Sequence, residues 1–149
     1  MTEFLPLSEA VAKHVADGAC LALEGFTHLI PFAAGHELIR QGRRDLTLVR
    51  MTPDMVYDQL IGAGCARKLI FSWGGNPGVG SLHRLRDAVE NRWPRPFDIE
   101  EHSHAGMSVR YVAGASEACT AEDLVRFGEM AVRHPASCAF LSWRYDEGT

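Results

Sequence analysis

Two short segments carry the residue types that could do chemistry. The first is Trp73-Gly74-Gly75-Asn76-Pro77-Gly78-Val79-Gly80-Ser81, with four glycines and a proline in seven positions. It follows the apolar run Lys68-Leu69-Ile70-Phe71 and precedes a segment with helical spacing. Glycines there leave backbone N–H groups bare, so a ligand can approach closely. A helix opening just after the loop would add unpaired N–H groups and a dipole suited to a carboxylate, a phosphate or a developing oxyanion. The second segment is Glu24-Gly25-Phe26-Thr27-His28, which follows the apolar run Cys20–Leu23. A carboxylate at a strand's end could act as nucleophile, base or substrate clamp. Glu24 could equally cap the helix that opens near Pro31 or pair with an arginine. His28 is a candidate base, with the alternative of an ordinary polar loop residue.

Other chemistries fit less well. Gly75 to Gly80 has P-loop spacing, but Ser81 stands where the phosphate-binding lysine must be, which argues against nucleotide hydrolysis. The dinucleotide fingerprint belongs after the first strand, so it fails too. His102 and His104 would share a face if they lay on a strand, yet no H-E-x-x-H accompanies them, and no metal site is assigned. Four widely spaced cysteines (Cys20, Cys65, Cys119, Cys138) with no C-x-x-C read as reduced, mostly buried thiols. No Ser/His/Asp order or reactive-cysteine signature is present.

The elements that must position these loops follow from periodicity and punctuation. Ser8 is the expected cap of a first helix that runs to about Ala16 and is stopped by Asp17-Gly18. A strand at Cys20–Leu23 leads to a helix from Pro31 to about Gln41. A second strand, Leu46–Met51, leads to a helix capped by Thr52 and opened by Pro53 and Asp54. The third strand is Lys68–Ser72, followed by the glycine loop and a helix from about Ser81 to Asn91. Trp93-Pro94-Arg95-Pro96 breaks the pattern before a strand at Phe97–Glu100. A helix at Thr120–Arg133 and a strand at Cys138–Trp143 complete the set. Alternating strands and helices imply an α/β fold: a three-layer, mainly parallel sheet of βαβ units, Rossmann-like. Ligands in such sheets sit at the carboxyl ends of the strands. One rim should therefore carry Glu24–His28, Arg50–Pro53 and Ser72–Ser81.

Length and composition agree. The 149 residues, 23% charged and 46% apolar, can bury a real core, and the net charge of −4 gives no reason to expect nucleic acid. No apolar run approaches the roughly 20 residues that span a bilayer, and Met1-Thr2-Glu3-Phe4 does not open a signal peptide. A cytoplasmic protein, without membrane or nucleic-acid partners, is the expectation.

The ordered motifs resemble a family. Asp17-Gly18-x-x-Leu21-Ala22-Leu23-Glu24-Gly25-Phe26 is similar to the N-terminal signature of the A (alpha) subunits of family I CoA-transferases. That signature has glycine where Glu24 stands, and Ile30-Pro31 does not reproduce its following Gly-x-Pro. Lys68 to Ser81 resembles the subgroup that contains the A-type chain of glutaconate CoA-transferase. Glu101 through Gly106 to Ala113-Gly114-Ala115 resembles a further segment of the same subunits. The resemblance covers about residues 5–115, an A-subunit-like α/β domain (1–115), and is to a shortened relative. Residues 116–149 would be a divergent helix and strand packed on the same domain.

The resemblance implies a CoA-transferase subunit, moving CoA between an acyl-CoA and a small carboxylic acid through acyl-glutamyl and glutamyl-CoA intermediates. The nucleophilic glutamate is expected on a B-type partner, since no Glu-Asn-Gly occurs here and Glu90-Asn91 is followed by Arg92. It also implies that Gly25, Phe26, Thr27, His28 and the loop from Trp73 to Ser81 wall the acyl and CoA site. Coenzyme A is then a substrate, with no permanently bound cofactor, and the assembly is an oligomer. The alternatives are an acyl-CoA hydrolase-type relative, in which Glu24 would direct water, and a truncated non-catalytic binding domain.

Overall fold

Four short strands pair in parallel, in the order in which the chain makes them: β1 (Cys20–Ala22), β2 (Leu46–Val49), β3 (Ala66–Phe71) and β4 (Asp98–Glu101). The computed structural model describes residues 4–25, 29–75 and 80–115. Between the strands run α1 (Leu7–His14), α2 (Phe32–Arg40), α3 (Met55–Gly62) and α4 (His83–Asn91), and α5 (His104–Ala115) follows β4. The α/β class with a parallel sheet is as the sequence implies.

Two compact units divide the chain, Leu5–Glu101 and a second that includes His102 onward. In the first, α1 packs on α2, α2 on α3 and α3 on α4. The register aligns Leu21, Leu48, Leu69 and Ile99 in one row across the sheet. The first three are buried and join Leu38, Val56, Tyr57, Leu60, Ile61, Leu85 and Ala88 of the helices in the core. Alternation along each strand is what delivers one apolar row to one core.

Capping differs from the sequence expectation at three helices. Pro6, not Ser8, precedes α1, with no side-chain cap. Asp54 caps α3 in place of Thr52: its Oδ1 accepts the Val56 N–H at 3.2 Å, which leaves Pro53 before the helix rather than in its first turn. A carboxylate is the stronger acceptor for an orphan N–H, and Asp54 is also the residue held by a neighbouring guanidinium. The N-terminus of α4 is closed by α3, because Asp58 Oδ1 accepts the N–H groups of both Arg84 and Leu85 at 2.9 Å. The helix after the glycine loop therefore carries its own anion there, and is not an open seat for a substrate's.

The second unit supplies another correction. His104 opens α5 and His102 precedes it, so the two histidines are not strand neighbours on one face. Ser103 starts this helix: its Oγ accepts the Gly106 N–H and its carbonyl the Met107 N–H, both at 3.0 Å. Serine as cap explains why a helix begins where alternation suggested a strand. The helix expected at Thr120–Arg133 and the strand at Cys138–Trp143 lie outside the described residues.

Among the described residues, no group of His, Cys, Asp or Glu is gathered for a metal, and no helix is long and apolar enough to cross a membrane. Cys20 and Cys65 are free thiols, and Cys119 and Cys138 are not among the described residues. Burial pushes the Cys20 thiol up to about 11, partly offset by Lys68, and raises that of Cys65 as well. Iodoacetamide at pH 8 should therefore label Cys20 on the order of a hundredfold more slowly than a free thiol, because little thiolate is present. Peptide-resolved mass spectrometry would read this, and labelling at the free-thiol rate would contradict the buried environment.

Candidate active-site rim

The last pair between β1 and β2, Ala22 with Val49, lies level with Ile70 of β3, so the chain leaves all three strands on one rim. The three outgoing segments are tied to one another. Met51 is the junction: its N–H donates to Glu24 Oε1 at 3.1 Å, and its carbonyl accepts the N–H groups of Ser72 at 3.0 Å and Trp73 at 3.2 Å. Ser72 Oγ also donates to that carbonyl, at 2.6 Å. The loops that the sequence placed on one rim are thus joined through the second of them.

Arg50 does more of this work. It is 3% exposed and donates from Nη1 to the Leu23 carbonyl at 3.0 Å and from Nη2 to the Gly25 carbonyl. Nη2 also forms an ion pair with Asp54 Oδ2 at 2.8 Å, while Nε lies 3.9 Å from Glu24 Oε2. The guanidinium sits 5.5 Å from the ring centroid of Tyr57. The Tyr57 hydroxyl accepts the Leu23 N–H at 2.9 Å and donates to the Val49 carbonyl at 2.8 Å. Burial keeps the Tyr57 phenol protonated and raises the Asp54 carboxyl, against the opposing pull of Arg50. The buried guanidinium donates to two carbonyls and is ion-paired with Asp54, which offsets its desolvation, while its Nε and Asp54 Oδ2 make no hydrogen bond.

Of the residues singled out in the sequence, Glu24, Gly25, Trp73, Gly74, Gly75, Gly80 and Ser81 are described. Phe26, Thr27, His28, Asn76, Pro77, Gly78 and Val79 lie outside the described residues. The Glu24 side chain is 43% exposed, and its carboxylate braces the second rim loop. Pairing with an arginine, one of the readings that the sequence leaves open, describes part of its surroundings. Gly25 marks where the chain leaves and returns, since a Cβ there would stand 2.1 Å from the Leu29 carbonyl oxygen. Trp73, 46% exposed, covers Gly75 closely enough that a Cβ would meet its ring at 2.7 Å.

Trp73, Gly74 and Ser81 line one cleft of about 420 Å³ with Phe71, Leu85 and Ile99; Glu24 and Gly25 do not contribute to its lining. The sequence places Arg50, Met51 and Ser72 on this rim without giving any of them a role, and it does not single out Tyr57 or Asp58. The available signal was an arginine placed directly after the fully apolar-facing Leu46–Val49, with an acid four residues on.

The rim can present backbone donors and a partly exposed carboxylate. Its hydroxyl at Ser72 gives its proton to a carbonyl rather than to a base. Cys20 starts its strand at the opposite end of the sheet from the rim. Glu24 on the rim and Glu101, which lines the cleft, are exposed carboxylates at this end of the sheet.

The sequence profile described as Coenzyme A transferase matches residues 5–116. The A-type chain of the 3-oxoadipate CoA-transferase of Pseudomonas knackmussii is 72% identical over 116 residues, 78% of this chain and 41% of that protein. The A-type chain of the glutaconate CoA-transferase of Acidaminococcus fermentans is 38% identical over 85 residues, 56% of this chain and 27% of that one. Among solved structures, a variant of the decarboxylase AibA/AibB matches with a TM-score of 0.67 at 31% identity, covering 76% of this chain and 43% of that one. Glutaconate coenzyme A-transferase from Acidaminococcus fermentans matches with a TM-score of 0.67 at 32% identity, over 76% and 35%. The chain spans less than half the length of these relatives.

Proposed function

Because this chain belongs to the coenzyme A transferase family, we propose that it forms the acyl-binding side of a CoA-transferase and works with a B-type partner. The observation that carries the reading is the 72% identity to the A-type chain of a 3-oxoadipate CoA-transferase. The substrates are then an acyl-CoA and a small carboxylic acid, with a dicarboxylate such as 3-oxoadipate the first acceptor to try.

The chemistry divides between two chains. A glutamate of the partner attacks the thioester carbonyl, CoA leaves as thiolate, and N–H donors stabilise the tetrahedral oxyanion. Those donors come from the loops opening at Gly25 and running from Trp73 to Ser81, since Asp58 already occupies the α4 N-terminus. The 25–28 and 73–81 loops wall the acyl group and part of the CoA. Glu24 stays beside Arg50 and Met51 and holds the rim together, which suits bracing better than attack. Coenzyme A enters and leaves as substrate, and no permanently bound cofactor is needed. The assembly is a hetero-oligomer in the cytoplasm.

A second reaction has a specific motive. The decarboxylase AibA/AibB matches this fold with the same TM-score as the glutaconate enzyme, so carbon dioxide release belongs in the same assay. The experiment mixes the chain, its B-type partner, a short-chain acyl-CoA and 3-oxoadipate, glutaconate or acetate. Acceptor-dependent formation of a new acyl-CoA, present with both chains and absent with either alone, is the expected result. Free CoA without acceptor would establish a hydrolase, and carbon dioxide released faster than in the same mixture without the chains, where 3-oxoadipate as a β-keto acid loses it unaided, would establish a decarboxylase. A folded pair that does none of these would leave a non-catalytic binding domain.

A further inference from the structure

Pairing between β1 and β2 stops at Ala22 and Val49, yet the next groups of β1 do not go unpaired. The Tyr57 hydroxyl stands between the Val49 carbonyl and the Leu23 N–H and bridges both. One residue on, Arg50 takes the Leu23 carbonyl and then the Gly25 carbonyl. Two buried side chains thus continue the ladder where the strands part. Where the strands part, these buried side chains, and not backbone pairing, join the first two rim segments.

We infer that Arg50 is a positioning residue: it fixes where the chain leaves β1, and so sets the base of the loop that opens at Gly25 and returns at Leu29. Its consequence for acyl selectivity rests on the function proposed above, whereas the mechanical role stands on these contacts alone. An apolar side chain of similar volume would avoid burying a cation but would leave the buried Asp54 carboxylate without its ion pair. It would also leave the Leu23 and Gly25 carbonyls without donors, free to take other orientations. Lysine cannot replace arginine, because a single ammonium lacks the planar fork that reaches two carbonyls and Asp54 together. Gly25 and Leu29 touch through their backbones, so a shift at the Gly25 carbonyl moves both ends of the loop.

The test uses Arg50→Lys and the milder Tyr57→Phe, which keeps the buried ring, in the full chain with its B-type partner. Hydrogen exchange is followed in peptides covering residues 23–30 and, as reference, β2. Turnover is measured with acetate and with 3-oxoadipate as acceptors and acetyl-CoA or succinyl-CoA as donor. Both variants should exchange faster over 23–30 with β2 unchanged. In Arg50→Lys, kcat/KM for 3-oxoadipate should fall by about a hundredfold, as for reactants misplaced by an ångström. The loss for acetate, with less to place, should be smaller, and Tyr57→Phe should shift the same ratio less far. A purely structural role would lower kcat for both acceptors alike, through lost folded protein, and leave KM and the ratio untouched; that result overturns the inference, as does unchanged exchange over 23–30. If the unaltered pair turns over no acceptor, the proposed function fails, and the exchange comparison alone decides whether Arg50 sets the loop.

Discussion

A Gly25→Ala chain is expected to keep its sheet and lose CoA transfer by about a hundredfold when assayed with the B-type partner, the scale of an ångström's misplacement at a reacting centre. The added Cβ would stand 2.1 Å from the Leu29 carbonyl oxygen and 2.7 Å from its carbon. Both are backbone atoms, so no side-chain rotation relieves the contact. One end of the loop must move, and the Gly25 carbonyl is itself held by Arg50. The strain therefore falls on the loop between Gly25 and Leu29 and spares the core row of Leu21, Leu48 and Leu69. Gly18→Ala is the matching control: its Cβ meets nothing within 4 Å, and its cost is confined to a positive φ of 81° away from the rim. Transfer rates and melting temperatures of both variants decide the matter. Full activity in Gly25→Ala would show that this loop does not shape the reacting geometry.

Gly35→Ala should destabilise the chain although it lies inside a helix. Alanine in an open helix would gain roughly 1 kcal/mol over glycine. In α2, however, the Cβ would stand 2.2 Å from Val56 Cγ2, on a side chain of α3 that is fully buried. Forcing a methyl into a packed interface costs about 1–3 kcal/mol beyond that gain, so the net sign is a loss. Each kcal/mol should lower the melting temperature by roughly 2–4 °C in a chain of 149 residues. Val56→Ala in the same chain removes the opposing methyl groups. The double variant should then be more stable than the sum of the two single losses predicts, a coupling that a denaturant cycle measures. A Gly35→Ala chain that melts higher than the unaltered one would show that the α2–α3 contact has room to spare.

Sequence periodicity located β1 to β3 and α1 to α4 because their apolar runs are short and Gly, Pro, Asp or Asn follows closely; β4, Asp98-Ile99-Glu100-Glu101, was legible from its place after the proline break. It erred where two local signals competed. Thr52 and Asp54 are both good caps, and the choice fell to Asp54 through contacts with Val56 and Arg50. His102 and His104 alternate as a strand would, but Ser103 between them is the residue that starts a helix. The rim loops were legible as glycine-rich turns after strands. Their cross-links were not, since Arg50 meets Leu23 and Gly25 across 27 and 25 residues. Such meetings depend on parallel register, which no local pattern states. Asp58 was hidden for the same reason: on its own helix it is an ordinary first-turn acid, and only the packing of α3 on α4 sends it to cap the next helix.

The strand order has a consequence for how the chain is made. Since β1, β2, β3 and β4 lie side by side in the order of synthesis, each strand leaving the ribosome finds its partner edge already exposed, and none must be inserted between two earlier ones. Parallel pairing costs loop closure, but here each closure spans only one helix, so the sheet can assemble stepwise while translation continues. Every stage of that growth leaves an open edge that could capture a neighbouring nascent chain. Among the described residues the last such edge is β4. Its Glu100 is held by Lys68 of β3, while the exposed Asp98 and Glu101 would set carboxylate against carboxylate if two copies paired through it. Those two acids guard the newborn sheet.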